Sequence, residues 1–449
     1  MPRELSTAIL ERGIRNVNFF EGQQLSAADL KTEQEAQRAH HDRLGRATGA
    51  GIVEGLTVRV EHDGADGRPP VLEIQPGLAL NRKGQTLELP AREFLALVRS
   101  RQDEADGPCL FRDCSRPLET RVPVGVGLYV LLLAPADGFR ERVPQSGLGG
   151  DSRVAGCGSR YAVEGVRFRL ELLDPSRLTK ISQGTRDLLV TELAGANDPA
   201  RLSRLRNLAA HLCFGTEALG GFAVDPFARQ NGFSAIRSHG ALDDLRATGS
   251  LSDCEVPVAL FFWNLRGIAF LDLWAVRRRP VAGEPSARWP TLAGERSPAD
   301  AEAVLLQFQD QLEDLVQSHP NPAAIRTLDF FRYLPPVGLL PTQGTGRPRG
   351  VLVPVFFQGR TVRGPVFFEG ARADSLLARS LEMPPIDLAE PEMVWLYQLR
   401  ENRRAALGRS ARPTPPVVLF ASGFLRYHAQ ARYDVSRWSF SNYSTLLVE

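Results

Sequence analysis

"VPVGVGLYVLLLAPA" (residues 122–136) is the longest uncharged apolar run in the chain, and its reading decides the fold. A membrane-spanning helix needs about 18 or more such residues, so this run is too short. Its glycines and β-branched residues suit a buried strand instead. Another long strand is expected at "YAVEGVRFRLELL" (161–173), and the Gly-, Arg- and Ser-rich segment 137–160 between them reads as a surface loop. Upstream, "GIVEGLTVRV" (51–60) alternates like a strand. "VLEIQPGLAL" (71–80) and "TLELP" (86–90) continue that pattern, with Asn81-Arg82-Lys83-Gly84 as a hairpin turn. Residues 1–178 are therefore expected to form a β-sandwich with a helix laid on it.

That helix is legible in "NFFEGQQLSAADLKTEQEAQRAHHDRLG" (18–45). Ser26 is a favourable N-cap, and Asp29 stands three residues on, at the capping-box position. The helix is predicted from Ala27 to about Leu44, stopped by Gly45. Its apolar positions are few: Ala28, Leu30, Ala36, Ala39 and Leu44. It therefore lies across a sheet or against a partner.

Beyond residue 178 the composition changes. "ARLSRLRNLAAHL" (200–212) has helical spacing, and "EVPVALFFWNLRGIAFLDLWAVRRRP" (255–280) reads as a hairpin of two apolar strands around "NLRG". Ser297-Pro298 opens a further helix, Pro being suited to the first helical position. That helix carries Val304, Leu305, Phe308, Leu312, Leu315 and Val316 on one face. So apolar a face requires a neighbour, which makes Leu305, Phe308, Leu312 and Leu315 a candidate oligomer interface between copies of the chain. From residue 326, "LDFFRYLPPVGLLP" and "LEMPPIDL" supply double-proline elbows. "VLVPVFFQG", "GPVFFEG", "EMVWLYQLREN" and "PPVVLFASG" read as strands or strand ends, and the aromatic tail 431–449 as ordered. The expected fold class is α+β and β-rich. It comprises a β-sandwich domain (1–178), a middle region with the hairpin and oligomerising helices (179–325) and a smaller β-containing outer domain (326–449).

Chemistry is scarce. There are 54 Lys and Arg against 52 Asp and Glu, so no global field favours nucleic acid or an anionic membrane. The five cysteines lack the repeated pairs of a zinc site and read as reduced thiols of a cytoplasmic protein. The start, "MPRELSTAILERGIRN", has no secretory pattern. Neither G-x-S-x-G, H-E-x-x-H, a Walker loop nor a dinucleotide loop occurs. His40 and His41 point ~100° apart on the helix and read as solvated, and His211 as a helix C-terminal histidine. Asp272, between Leu271 and Leu273, suggests a structural ion pair with an arginine such as Arg277. Arg277-Arg278-Arg279 reads as a solvated end or a salt-bridge knot. Neither catalytic residues, a metal nor a cofactor is expected.

The opening segment resembles the shoulder module of contractile injection systems, similar to the type VI secretion baseplate subunit of the TssK type and to phage receptor-binding shoulders. Phe20, Gly22, Leu25, Asp29, Leu30, Glu33 and Gln34 occupy the places of the pattern F-x-G-x-x-L-x-x-x-D-[FL]-x-x-E-Q, and "GAGIVEGL" follows. The chain has Ala27 where the secretion branch has proline, and Asp29-Leu30 for its His-Phe pair. "FFRYLPPVGLLP" and "ARYDVSRWSFSNY" also look like that group. The resemblance implies a non-catalytic baseplate adaptor inside a cytoplasmic, phage-tail-like particle. It would be trimeric, dock on other baseplate subunits and face a membrane-side or receptor partner through its C-terminal domain. The alternative it leaves is a tail fibre or receptor-binding protein. Partner-binding residues would be Phe19, Phe20, Gly22, Leu25, Asp29, Glu33 and Gln34. The aromatics either meet a partner or plug the shoulder's own core.

Overall fold

The computed structural model describes residues 10–11, 13–97, 127–144, 157–178, 181–196, 198–216, 240–281, 298–343, 348–368, 376–377, 383–399 and 417–423. They form a mixed architecture of several β-sheets, with helices distributed along the chain. In order these are α1 (Ala27–Thr48), β1 (Gly51–Gly55), β2 (Val58–His62), β3 (Val71–Ile74), β4 (Gly77–Leu80), β5 (Thr86–Leu89) and β6 (Glu93–Ala96). Then come β7 (Gly127–Pro144), β8 (Cys157–Leu172), α2 (Gln183–Ala194), α3 (Pro199–Phe214), α4 (Ala241–Ala247), β9 (Val256–Asn264), β10 (Gly267–Asp272) and α5 (Pro298–Ser318). The last part holds α6 (Thr327–Phe330), β11 (Tyr333–Leu334), β12 (Val337–Leu340), α7 (Val353–Phe356), β13 (Val362–Phe368), β14 (Ile386–Asp387), β15 (Val394–Leu399) and β16 (Val418–Ser422).

The apolar run beginning at Val122 is a strand where it is described, and it is central. β7 lies inside the sheet β10-β9-β7-β8. Because side chains alternate along a strand, Leu128, Val130 and Leu132 enter one core with α2, α3 and α4. Tyr129, Leu131 and Leu133 enter another, against Ile52, Leu56, Val58, Leu72, Ile74 and Leu87. A strand covered on both faces must be apolar at every position, which explains an unbroken run rather than an alternating one.

Facing it are two three-stranded sheets, β1-β4-β5 and β2-β3-β6. The expected single strand at 51–60 is two strands, broken where Gly55 and Leu56 both adopt positive φ (62° and 52°). Its neighbour at 71–80 breaks opposite, at Gln75-Pro76, where Leu56 N–H donates to Pro76 O at 3.1 Å and Gln75 N–H to Thr57 O at 2.9 Å. Both strands thus turn one corner together and pass from one sheet to the other. Glycine is needed at position 55 for its φ and for space, since a Cβ there would lie 1.9 Å from Pro76 O.

Four further expectations are corrected. The loop 137–160 is strand up to Pro144 and from Cys157 onward, with Arg140 opposite Tyr161 and Pro144 opposite Cys157. The hairpin placed in the middle region joins the sheet of the first, Tyr129 pairing with Phe261. "VLVPVFFQG" contains helix α7 instead of a strand end. α1 runs past Gly45 to Thr48 and is closed by Gly49 (φ 94°). The strands of "GPVFFEG", "EMVWLYQLREN" and "PPVVLFASG" form where expected, in the sheet β12-β16-β15-β13. The elbows at Pro335-Pro336 and Pro384-Pro385 adjoin the β11–β14 pair, Leu334 opposite Ile386. The tail 431–449 lies outside the described residues.

The apolar face of α5 is consumed within the chain. Phe308, Leu312, Leu315 and Val316 pack with Phe330, Phe331, Leu334, Leu340, Phe356 and Phe420, the Phe308 ring 5.4 Å from those of both Phe331 and Phe420. Leu305 is half-buried. The candidate oligomer interface is thereby corrected: the neighbour that this face required is the chain's own C-terminal region. Gln309, on the same helix, bonds both backbone groups of Leu339, accepting from its N–H at 2.7 Å and donating to its carbonyl at 3.0 Å. It thus covers part of the β12 edge.

Candidate docking surface

The opening corner is held by local bonds. Gln23 N–H donates to Phe20 O at 3.2 Å, closing a tight turn in which Gly22 has φ 80°. A Cβ on Gly22 would meet nothing within 4 Å, so glycine serves the backbone conformation there and not the space. α1 follows with the expected capping box. Asp29 N–H donates to Ser26 Oγ at 3.2 Å and Ser26 N–H to Asp29 Oδ2 at 2.9 Å. The Ser26 hydroxyl and then the Ser26 N–H hold the Asp29 carboxyl below its ordinary range. Glu33 accepts from Val17 N–H at 3.4 Å and from Gln37 Nε2 at 3.1 Å, tying the incoming segment to the helix. Asp29 and Glu33 are therefore braces of the corner, while Gln34 is exposed.

What the corner presents is apolar. Phe19, Phe20 and Leu25 are 54%, 65% and 52% exposed, which removes the reading that they plug the shoulder's own core. α1 buries only Ala36 and Gly45, and Leu30 and Leu44 stand in solvent. Arg38 pairs with Glu164 at 2.8 Å, so α1 passes beside the outer part of the β7–β8 ribbon. There β9 no longer pairs, its last partner on that side being Leu133, and Phe139, Tyr161 and Val163 are exposed. A two-stranded ribbon alone is marginal in water. The corner, α1 and this ribbon make a region rich in uncovered apolar side chains.

The residues that suggested chemistry have structural work. Asp272 is buried and accepts from Arg206 Nε at 2.6 Å, Gln307 Nε2 at 3.0 Å and Ala275 N–H at 2.8 Å. Its partner is Arg206, not Arg277, because the carboxylate points toward α3 and α5. Arg206 also reaches Asp314 at 2.6 Å. Nearby Asn207 binds the backbone of Arg332 and Tyr333 through both amide atoms, and Gln311 holds Ser203. A polar seam of fixed partners therefore joins α3 to α5 and β11, with Ser203, Arg206, Asn207 and His211 buried among the apolar residues of α3.

The arginine triplet is a salt-bridge knot, as expected. Arg277 donates to the carbonyls of Gly55 and Leu56, Arg278 pairs with Asp300, and Arg279 with Glu302. His40 and His41 are exposed. His211 is buried, its Nδ1 2.8 Å from Thr216 Oγ1 and its ring 4.8 Å from that of Tyr333, a packing role that helix-end spacing did not reveal. Cys213 is free and buried, whereas Cys254 is disulfide-bonded, a departure from uniformly reduced thiols. Among the described residues no group of three or more His, Cys, Asp or Glu could hold a metal ion, and no helix is long and apolar enough to cross a membrane.

No family model matches the chain, and no curated protein matches it.

Proposed function

We propose that this chain is a structural baseplate adaptor of a contractile, phage-tail-like injection system. It links the baseplate to an outer, membrane-side or receptor partner. The observation that carries this reading is the stiff corner presenting Phe19, Phe20 and Leu25 to solvent. A turn, a capping box and the Glu33 brace fix its shape before any partner arrives. Preformed apolar anchors lose little ordering entropy on docking, and phenylalanine is enriched in the cores of interfaces. The sequence pattern around Gly22, Leu25 and Asp29 supports the same assignment. In this reading the β-rich N-terminal part is the shoulder, the partners of the corner are other baseplate subunits, and the assembled unit is a homotrimer. Its threefold contacts lie elsewhere than on the apolar face of α5, which the chain's own core occupies.

The competing tail-fibre reading calls for exposed aromatics in residues 326–449. Among the described residues there, Phe330, Phe331, Tyr333, Phe356, Phe357, Tyr397 and Phe420 are buried and Phe367 and Trp395 half-buried, which lends that reading no support. The test is the particle itself, purified from cells carrying either the native chain or Phe19→Ala/Phe20→Ala/Leu25→Ala. The adaptor reading expects the triple variant to fold, by circular dichroism, yet to be missing from the baseplate. Normal assembly with the variant would overturn it, as would isolation of the chain as a free monomer turning over a small substrate.

A further inference from the structure

We propose that β8 pairs with itself: two copies of the chain join edge to edge over residues 160–164, about a twofold axis at Ala162. In the sheet β10-β9-β7-β8 the strand β8 is outermost, and among the described residues it pairs with β7 only. The free side of such a strand offers unpaired N–H and C=O groups, a template for one more strand. Residues 160–165 are all exposed. They read Arg-Tyr-Ala-Val-Glu-Gly, and the first five are their own complement when reversed. Antiparallel pairing about Ala162 sets Arg160 against the second copy's Glu164 and Tyr161 against its Val163, each twice. Ala162, small, meets Ala162.

Charge selects this occupant and this register. Residues opposite one another across a ladder share a face, and side chains alternate along each strand. A twofold contact must therefore centre on a residue facing its own copy. Centring on Arg160 or Glu164 sets like charges together. Centring on Tyr161 leaves Arg160 opposite Ala162 and Glu164 opposite Gly158; centring on Val163 leaves them opposite Val166 and Ala162. Among these five centres, Ala162 alone matches charge with opposite charge and apolar with apolar. Arg160 reaches Glu141 at 3.5 Å and Glu164 reaches Arg38 at 2.8 Å, yet their side chains stay 59% and 52% exposed, so each can take a second partner. Glu164 also stands opposite Asp137 on β7, and like charges side by side favour a cation arriving across the edge. On the other face Gly138 lies opposite Val163, and a Cβ there would meet nothing within 4 Å, which leaves room for the second copy's Tyr161 ring over Val163. Pairing turns a two-stranded ribbon into four strands. The contact is isologous, using one edge twice; in a trimeric assembly it joins a chain of one trimer to a chain of the next. It is a property of the isolated chain and stands or falls without the injection machine.

Sedimentation of the purified full chain tests it, and should show a reversible doubling of mass with concentration. Arg160→Glu alone and Glu164→Arg alone should each abolish the doubling while circular dichroism is unchanged. An equal mixture of the two variants should restore it, because each then meets opposite charges across the edge. Mild oxidation gives an independent readout, with the unsubstituted protein as the background from native cysteines. Ala162→Cys should cross-link well above that background, since Cα atoms directly opposite in an antiparallel pair are about 4.5–5.5 Å apart, within the span of a disulfide. A native chain that never doubles overturns the proposal. So does doubling that survives both single charge reversals, a mixture that fails to restore it, or Ala162→Cys at background, since in each of these cases the copies do not meet along this edge in this register.

Discussion

Gly45 of α1 rests directly on the backbone of Gly84. A Cβ on Gly45 would stand 2.0 Å from the Gly84 carbonyl oxygen, and one on Gly84 would stand 1.9 Å from that of Asp42. Gly45 reads in the sequence as a helix stop, yet the helix continues to Thr48. The residue is the point at which a nearly uncovered helix touches the hairpin turn 81–84.

Gly45→Ala should therefore separate docking from helix formation. Alanine favours a helix over glycine by about 1 kcal/mol, so helicity by circular dichroism should hold or rise. The added methyl cannot fit against Gly84, so α1 should lift from the turn. Faster amide exchange at 81–85 and quicker tryptic cleavage at Arg43 and Arg46 would register this. Unchanged protection at both places would show that the contact is dispensable.

Arg206→Met should be severe. The guanidinium is the shared partner of buried Asp272 and of Asp314. Removing one member of a buried pair leaves an uncompensated charge, at a cost of about 3–5 kcal/mol. Urea unfolding followed by tryptophan fluorescence should show a lower midpoint. A loss under 1 kcal/mol would mean that water reaches Asp272 and relieves it.

The parts of the molecule legible in the sequence are those where a local pattern has one structural outcome. The Ser26–Asp29 cap, the turn at Asn81–Gly84 and the hairpin around Leu265-Arg266 depend on neighbours in sequence, and all three form. β7 was legible because burial on both faces leaves no room for polar residues. The misreadings need distant partners to resolve. The sheet change at Gly55–Leu56 depends on Pro76 breaking opposite it, and the fate of the α5 face on phenylalanines as far away as Phe420. The stretches 137–144 and 157–160 read as loop because glycine and arginine are frequent there, although pairing between β7 and β8 satisfies their backbone. Of the candidate site, the exposure of Phe19 and Phe20 could not be read at all, since an aromatic after a turn is equally able to fold inward.

Asp310→Asn should stabilise the protein at neutral pH. Burial first, and then the charge of Asp272, push the Asp310 carboxyl above its ordinary range. A carboxyl raised in the folded state is unfavourable when ionised, so its penalty is present above the folded pKa. It fades as pH falls through that value toward the unfolded one. The variant's higher Tm should accordingly appear at pH 7 and vanish near pH 4. A gain independent of pH would point to packing instead.

Thiol chemistry should distinguish two cysteines. Burial pushes the Cys213 thiol up to about 12, so at pH 8 it carries almost no thiolate and has no path to reagent. Cys254 is disulfide-bonded. Mass mapping after iodoacetamide should find Cys213 modified only in denaturant, and Cys254 only after denaturant and reductant together. Labelling of Cys213 in the native chain would mean that α3 opens readily.

The cap of α1 should weaken in acid, and with it the corner. Asp29 titrates below its ordinary value because the Ser26 hydroxyl and N–H donate to its ionised form. A depressed folded pKa means that the contribution is complete above the unfolded value, about 4, and is lost as pH falls through the folded one. Ser26→Ala removes both hydroxyl bonds at any pH and should speed exchange of the first-turn amides roughly five-fold at neutral pH, the usual loss for an N-cap. In the native chain the same amides should keep their protection down to about pH 4 and lose it below. If protection instead fell between pH 7 and pH 5, a group other than Asp29 would be holding the corner that presents Phe19 and Phe20.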